Sequence, residues 1–238
     1  MAIVTDALHF LGTPALLVLR RHGMTVMCQD KTFVEEKARL AFEAEHADAV
    51  AASAQEPVAL VSETLERLGR IDLIVSNDAF PALRTPIAEL KAADLHATYE
   101  ALVYRPFALA SASVPHMRDR RSGKILFVTS AAPLRGLSNY SVYVSARGAI
   151  NALARSLALE LAPHNIQVNA IAPNFIESET YFPKALMADP AAAAKILKNI
   201  PLGRLGRPEE AGALIAFLAS PEADFITGQV IPLAGGWA

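Results

Sequence analysis

The sequence contains one cysteine, Cys28, so no internal disulfide can form, and its place in an apolar run marks it as a buried strand residue rather than a reactive thiol. Neither sign of charge dominates: the formal net charge is −2, which gives no general reason to expect nucleic acid or an acidic membrane as partner. No charge-free apolar stretch approaches the length needed to span a bilayer. The opening residues, Met-Ala-Ile-Val-Thr-Asp, lack the basic start and apolar core of a signal peptide. There is no internal repeat, low-complexity tract or Gly/Ser linker. These absences lead to the expectation of a soluble, cytoplasmic protein with one domain over residues 1–238.

What is present is a regular alternation. Short Val- and Ile-rich runs are expected as strands at Ala2–Thr5, Thr25–Cys28, Asp48–Ala51, Ile71–Ser76, Lys124–Thr129, Gln167–Ile171 and Gln229–Leu233. Several are continuously apolar, as strands buried on both faces are. Helical patterns lie between them at Pro14–His22, Phe33–His46, Pro57–Leu68, Ala92–Met117, Ser141–Ala162 and Pro208–Ala219. Pro14 and Pro57 stand where prolines suit a first turn. This order predicts an α/β fold: a Rossmann-type, doubly wound parallel sheet of about seven strands with helices on both faces. The segment near 173–200 breaks the rhythm with Pro173, Pro183 and Pro190 and the aromatics Phe175, Tyr181 and Phe182. An insertion there would lie outside the carboxyl ends of the strands, where such folds bind ligands; an aromatic-packed surface loop is the plainer alternative.

Three residues suggest chemistry. Ser130 ends an apolar strand, Tyr143 follows thirteen residues later and Arg147 four after that, so the last two share one helix face, one turn apart. A free phenol titrates near pH ~10 and is a poor base at neutrality; a permanent guanidinium beside it favours the phenolate. Ser130 could hold a substrate oxygen against Tyr143. Read without context, a serine capping the next turn and a Tyr–Arg pair bracing a helix surface explain the same residues.

Over nearly its whole length the sequence resembles the short-chain dehydrogenase/reductase superfamily. The resemblance is carried by Ser130 with Tyr143-x-x-x-Arg147, Gly69-Arg-Ile-Asp-Leu-Ile-Val75, Ile166-Gln-Val-Asn-Ala-Ile-Ala-Pro173, Pro201-Leu-Gly-Arg-Leu-Gly-Arg-Pro208, Ile226-Thr-Gly-Gln and Ala234-Gly-Gly236. The departures cluster at the cofactor. The superfamily's Thr-Gly-x-x-x-Gly-x-Gly turn reads here Thr5-Asp-Ala-Leu-His-Phe10-Leu-Gly12, with Asp6 and Phe10 for two glycines. A carboxylate and a benzyl group there should repel a pyrophosphate and fill its space. Ser76-Asn-Asp-Ala79 replaces Asn-Asn-Ala-Gly, and Arg147 replaces the usual lysine.

This combination, with Arg105-Pro-Phe107 and Pro173-Asn174-Phe175, is similar to the halohydrin (haloalcohol) dehalogenases, a dehydrogenase-derived family that uses no nucleotide and no metal. The resemblance implies a lyase that converts vicinal haloalcohols to epoxides, halide and a proton, and that opens epoxides with anions such as azide, cyanide or nitrite. It implies Tyr143 as general base, Arg147 as its cationic neighbour and Ser130 as the group holding the substrate oxygen. A halide site is expected among Phe10, Pro173, Asn174, Phe175 and Phe182, where aromatic edges and a backbone N–H could face the anion. Phe80 is expected to wall the substrate pocket, and His9 to make a structural hydrogen bond. The chain closes on Gly236-Trp237-Ala238 without the longer tail of some relatives, and Trp237 is expected at a subunit contact of a homotetramer built on the long helices. Two alternatives stay open at this point: a divergent NAD(P)-dependent oxidoreductase, and a non-catalytic ligand-binding relative.

Overall fold

Seven parallel strands form one sheet: β1 (Ala2–Val4), β2 (Val26–Cys28), β3 (Ala49–Ala51), β4 (Leu73–Ser76), β5 (Gly123–Val128), β6 (Ile166–Pro173) and β7 (Val230–Leu233). They are arranged in the order β3-β2-β1-β4-β5-β6-β7. The computed structural model describes residues 1–179 and 181–238; Thr180, inside the segment expected to be an insertion, lies outside them. Strand order reverses between β1 and β4, so a crevice opens at the carboxyl ends of these strands.

The helices are α1 (Gly12–Arg21), α2 (Glu36–Glu45), α3 (Pro57–Leu68), α4 (Ala92–Tyr99), α5 (Arg105–Arg120), α6 (Ala132–Arg135), α7 (Ser141–Leu161), α8 (Lys184–Ala188), α9 (Pro190–Leu197) and α10 (Pro208–Ala219). Alternate strand residues feed two cores. Ile3, Met27, Ile74, Ile125 and Phe127 pack with residues of α3, α5 and α7. Val4, Cys28, Val75, Leu126 and Val128 pack with residues of α1 and α10. Both faces of the sheet are therefore covered, which explains why the strands read as unbroken apolar runs. Cys28 is fully buried, and burial raises its thiol pKa, as expected for a packing residue.

Two expected helices are interrupted. The one over Phe33–His46 divides into a 3-10 turn at Lys31–Val34 and α2, because Glu35 between them is extended. The one over Ala92–Met117 contains a π-helical turn at Glu100–Tyr104, which joins α4 to α5. α5 then carries Pro115 in its interior. No helix among the described residues is long and apolar enough to cross a membrane.

Candidate active site

The sheet ladder sets Ser130 in place. The Thr129 N–H donates to the Ile171 carbonyl at 2.8 Å and the Ala131 N–H to the Pro173 carbonyl at 3.1 Å, so pairing with β6 continues past the end of β5. The Ser130 Oγ accepts the Ala132 N–H at 3.1 Å. Capping and catalysis are compatible, because an oxygen that accepts this bond still has its own O–H to donate. Tyr143 lies in the first turn of α7 and Arg147 one turn on, both facing inward at 8% and 1% exposure.

Arg147 is an internal cation. Its Nη1 donates to the Val128 carbonyl at 2.9 Å and its Nη2 to the Asp78 carbonyl at 3.1 Å. The Nε has no partner among the described residues. The guanidinium carbon stands 5.5 Å from the Tyr143 ring centroid. Burial opposes the charge, but Tyr143, Tyr181 and the Asp78 carboxylate more than offset it, and the guanidinium pKa is raised.

The β1–α1 turn keeps the shape of a nucleotide-binding turn without its capacity to bind one. Asp6 and Phe10 hold φ values of 43° and 46°, the left-handed region glycine favours. Gly12 is retained because a Cβ there would lie 2.3 Å from the Asp6 carbonyl oxygen. Five of the turn's N–H groups are occupied: Asp6 donates to Gln29 Oε1, Ala7 to the Gln29 carbonyl, Leu8 to Asp30 Oδ2, His9 to the Asp6 carbonyl and Gly12 to the His9 carbonyl. The Asp6 carboxylate reaches across to accept the Ala79 N–H at 2.7 Å. A pyrophosphate would meet the Asp6 carboxylate and the Phe10 side chain where glycines would let it approach, so the residues present do not fit a dinucleotide. His9 stands 3.6 Å from Asp30 through Nε2, and its carbonyl accepts from Asn77 Nδ2 at 2.8 Å. The ring itself makes no hydrogen bond among the described residues, so the one expected of its side chain is not seen.

Asp78 lies beneath the triad, with its carboxylate accepting from the Ser76 and Thr5 hydroxyls. Its pKa is pushed up to about 6 by burial, with Asp6 adding repulsion and Ser76, Arg147 and Thr5 pulling the other way. The unfolded chain releases this proton near 3.8. Between these values the folded state binds more protons, so stability falls as pH rises from about 4 to about 6 and then levels off. Asp78→Asn should therefore unfold at higher urea than the wild type at about pH 8, by at most about 2–3 kcal/mol, with the gain vanishing near pH ~4. An equal gain at both pH values would rule out this account.

Ser130 and Tyr143 open into a cavity of about 550 Å³. Phe10, Pro173, Asn174, Phe175 and Phe182 line the same cavity, as do Ile176, Tyr181 and Trp237. The Phe10 ring meets Tyr181 edge-on at 4.8 Å, and Phe175 lies 5.6 Å from Phe182 and 5.7 Å from Trp237. The Asn174 N–H donates to the Leu233 carbonyl, and the Phe175 N–H to the Asn174 side-chain oxygen. Neither is free for an anion. The Ile176 N–H, in a residue 2% exposed, donates to no acceptor among the described residues.

The family model described as "Enoyl-(Acyl carrier protein) reductase" matches residues 17–238. A solved structure described as a "Dehalogenation enzyme" is 46% identical, with a TM-score of 0.95 over 100% of this chain and 97% of its own. A halohydrin dehalogenase, HheC, solved with ethyl (2S)-oxiran-2-ylacetate bound, is 41% identical, with a TM-score of 0.95 over 99% of this chain and 96% of its own. The chain belongs to the halohydrin dehalogenases, within the short-chain dehydrogenase/reductase superfamily. More distant relatives are oxidoreductases. The 3-oxoacyl-[acyl-carrier-protein] reductase FabG of Thermotoga maritima is 29% identical over 99% of this chain and 96% of its own length. The 5-keto-D-gluconate 5-reductase of Escherichia coli (strain K12) is 30% identical over 98% and 93%.

Of the residues the sequence pointed to, Phe10, Pro173, Asn174, Phe175 and Phe182 border one cavity with Ser130 and Tyr143, and Phe80 does not. Phe80 packs against the core beside α5 and α7 rather than walling the cavity, and Pro81 and Ala82 line it instead. The chain turns there so that the Phe80 carbonyl accepts the Tyr181 hydroxyl at 2.9 Å. Tyr181 was missed as a site residue. In the irregular stretch Tyr181-Phe182-Pro183 no periodicity distinguishes the inward ring from its neighbour, and both line the cavity. Burial pushes the Tyr181 phenol up to about 12, with Tyr143 nearby also raising it and Arg147 lowering it. Arg105, at the start of α5, pairs with Glu56 at 3.1 Å and donates to the Gln55 carbonyl, so it braces the loop before α3.

Proposed function

We propose that this chain converts neutral vicinal haloalcohols to epoxides, halide and a proton, acting as a carbon–halide lyase without a nucleotide. The observation that carries the proposal is that Ser130 and Tyr143 share a cavity with an aromatic sector, while the adjoining β1–α1 turn carries the Asp6 carboxylate and the Phe10 ring where a pyrophosphate would need glycines.

On this reading the Ser130 O–H donates to the substrate oxygen, since the Ser130 lone pair already takes the Ala132 N–H. Tyr143, as phenolate beside the Arg147 cation, removes the hydroxyl proton. The alkoxide attacks the neighbouring carbon: the C–O bond forms, the carbon–halogen bond breaks, and the halide leaves with the electron pair. The halide enters the sector of Phe10, Asn174, Phe175 and Phe182, where ring edges carry partial positive charge and the Ile176 N–H is available. In reverse, azide, cyanide or nitrite would enter there and open an epoxide, with Tyr143 returning the proton. Assembly as a homotetramer is part of the same proposal; exposed Tyr104 at the end of the π-helical turn, Phe107 on α5 and Leu159 on α7 offer apolar surface for it.

The test is halide release from a small vicinal bromoalcohol with no nucleotide added. Steady release is expected; none from several such substrates, together with saturable NAD(P)H binding, would overturn the proposal. Ser130→Ala should lower kcat/KM by roughly 10–100-fold, the value of one lost hydrogen bond to a charge-bearing oxygen. A near wild-type value would remove Ser130 from the mechanism.

A further inference from the structure

Trp237 is 8% exposed and lies in its own chain's cavity wall. Its ring is held on two sides. The Arg135 guanidinium sits 5.1 Å from the ring centroid, and Arg135 Nη1 donates to the Trp237 carbonyl at 3.2 Å. Phe175 packs against the indole at 80° with centroids 5.7 Å apart. The cavity of about 550 Å³ falls within the ~300–1,000 Å³ typical of small-molecule sites and far exceeds the needs of a three-carbon haloalcohol. No charged side chain lines it among the described residues. A carboxylate or phosphate on the substrate would therefore enter without a counter-ion, which is costly.

We propose that Trp237, held by Arg135 and Phe175, is a stacking platform that selects neutral substrates bearing an aryl group next to the reacting carbons. The choice of haloalcohols and epoxides as that class rests on the dehalogenase reading; the platform itself does not. An aryl substituent stacked or edge-packed on a fixed indole gains affinity beyond the area it buries, up to about tenfold. The platform touches the substituent and not the breaking bond, so the gain falls mainly on KM. Arg135 is a positioning residue: it reaches the substrate only through the indole.

Trp237 is the single tryptophan of the sequence, so the intrinsic emission of the full chain reports on this wall alone. Titration with 1-phenylethanol, which has no halogen to lose, should change that emission saturably, whereas 2-propanol should not. Arg135→Met should alter the starting emission and weaken the 1-phenylethanol response while the fold is retained. In turnover, the kcat/KM ratio of 2-bromo-1-phenylethanol to 1-bromo-2-propanol should fall by about tenfold in Trp237→Leu and by less in Arg135→Met, with the change in KM. If 1-phenylethanol leaves the emission unchanged, or if both variants keep the wild-type ratio, the platform is overturned. A saturable emission change with no halide release from either substrate would overturn the dehalogenase reading and leave the platform standing.

Discussion

Tyr143→Phe is expected to abolish halide release, with a loss of at least about a hundredfold and up to about ten-thousandfold in kcat, the range a positioned general base contributes. The upper end is expected because Tyr181, another phenol lining the cavity, is a poor substitute: burial pushes it up to about 12 and its hydroxyl is committed to the Phe80 carbonyl. The phenylalanine ring keeps the packing of Tyr143 in the core beside Ala146 and Ile150. Stability should therefore fall by no more than about 2 kcal/mol, the value of a hydrogen bond to a charged partner. Urea unfolding beside a halide-release assay separates the two effects. A folded variant that keeps halide release would exclude Tyr143 as the base.

Arg147→Lys is expected to harm both fold and rate, although it keeps a formal charge. The guanidinium is 1% exposed and spans two carbonyls on different strands' ends. A single ammonium cannot reach both in that geometry and still face Tyr143. The loss of one such bond to a charged donor costs about 2–3 kcal/mol. A buried lysine also sheds its proton more readily, because burial disfavours the charged form. Where the ammonium is neutral, Tyr143 has no cation beside it, so kcat should fall beyond what the loss of stability explains. A wild-type kcat would mean that Arg147 serves the fold alone.

These expectations depend on features that were unevenly legible in the sequence. Pro57–Leu68 and Pro208–Ala219 are helices at the bounds read from the sequence, since a proline in the first turn marks each start. The triad was legible because its spacing maps directly onto a strand end and one helix face. The π-helical turn at Glu100–Tyr104 was not, because apolar periodicity is insensitive to one extra residue in a turn. The aromatic sector of the cavity was legible as a set of residues but not as a set of donors. That Asn174 and Phe175 have no N–H to offer follows from partners at Leu233 and in the Asn174 side chain, which no linear pattern shows. That Tyr181 lines the cavity and Phe80 does not was illegible for the same reason, because it goes with a contact between a carbonyl in one loop and a hydroxyl in another.

Four non-glycine residues in the loops after β1, β4 and β6, Asp6, Phe10, Asp78 and Phe175, hold φ values of 43°, 46°, 38° and 57°, and of these Phe10 and Phe175 line the cavity. Each left-handed residue with a Cβ costs roughly 1–2 kcal/mol, less for the two aspartates, whose short side chains tolerate that region. Against a typical folding margin of about 5–15 kcal/mol this is a substantial load, and all of it sits in the loops that shape the pocket. The rigid sheet beneath must supply the excess stability that keeps these loops in place. Nucleotide exclusion is also divided between Asp6 and Phe10, on a backbone that still follows the glycine path. Reverting either residue alone would relax the chain but leave the other obstruction standing, so the way back to a cofactor runs through an intermediate that has lost part of its pocket wall and gained no nucleotide.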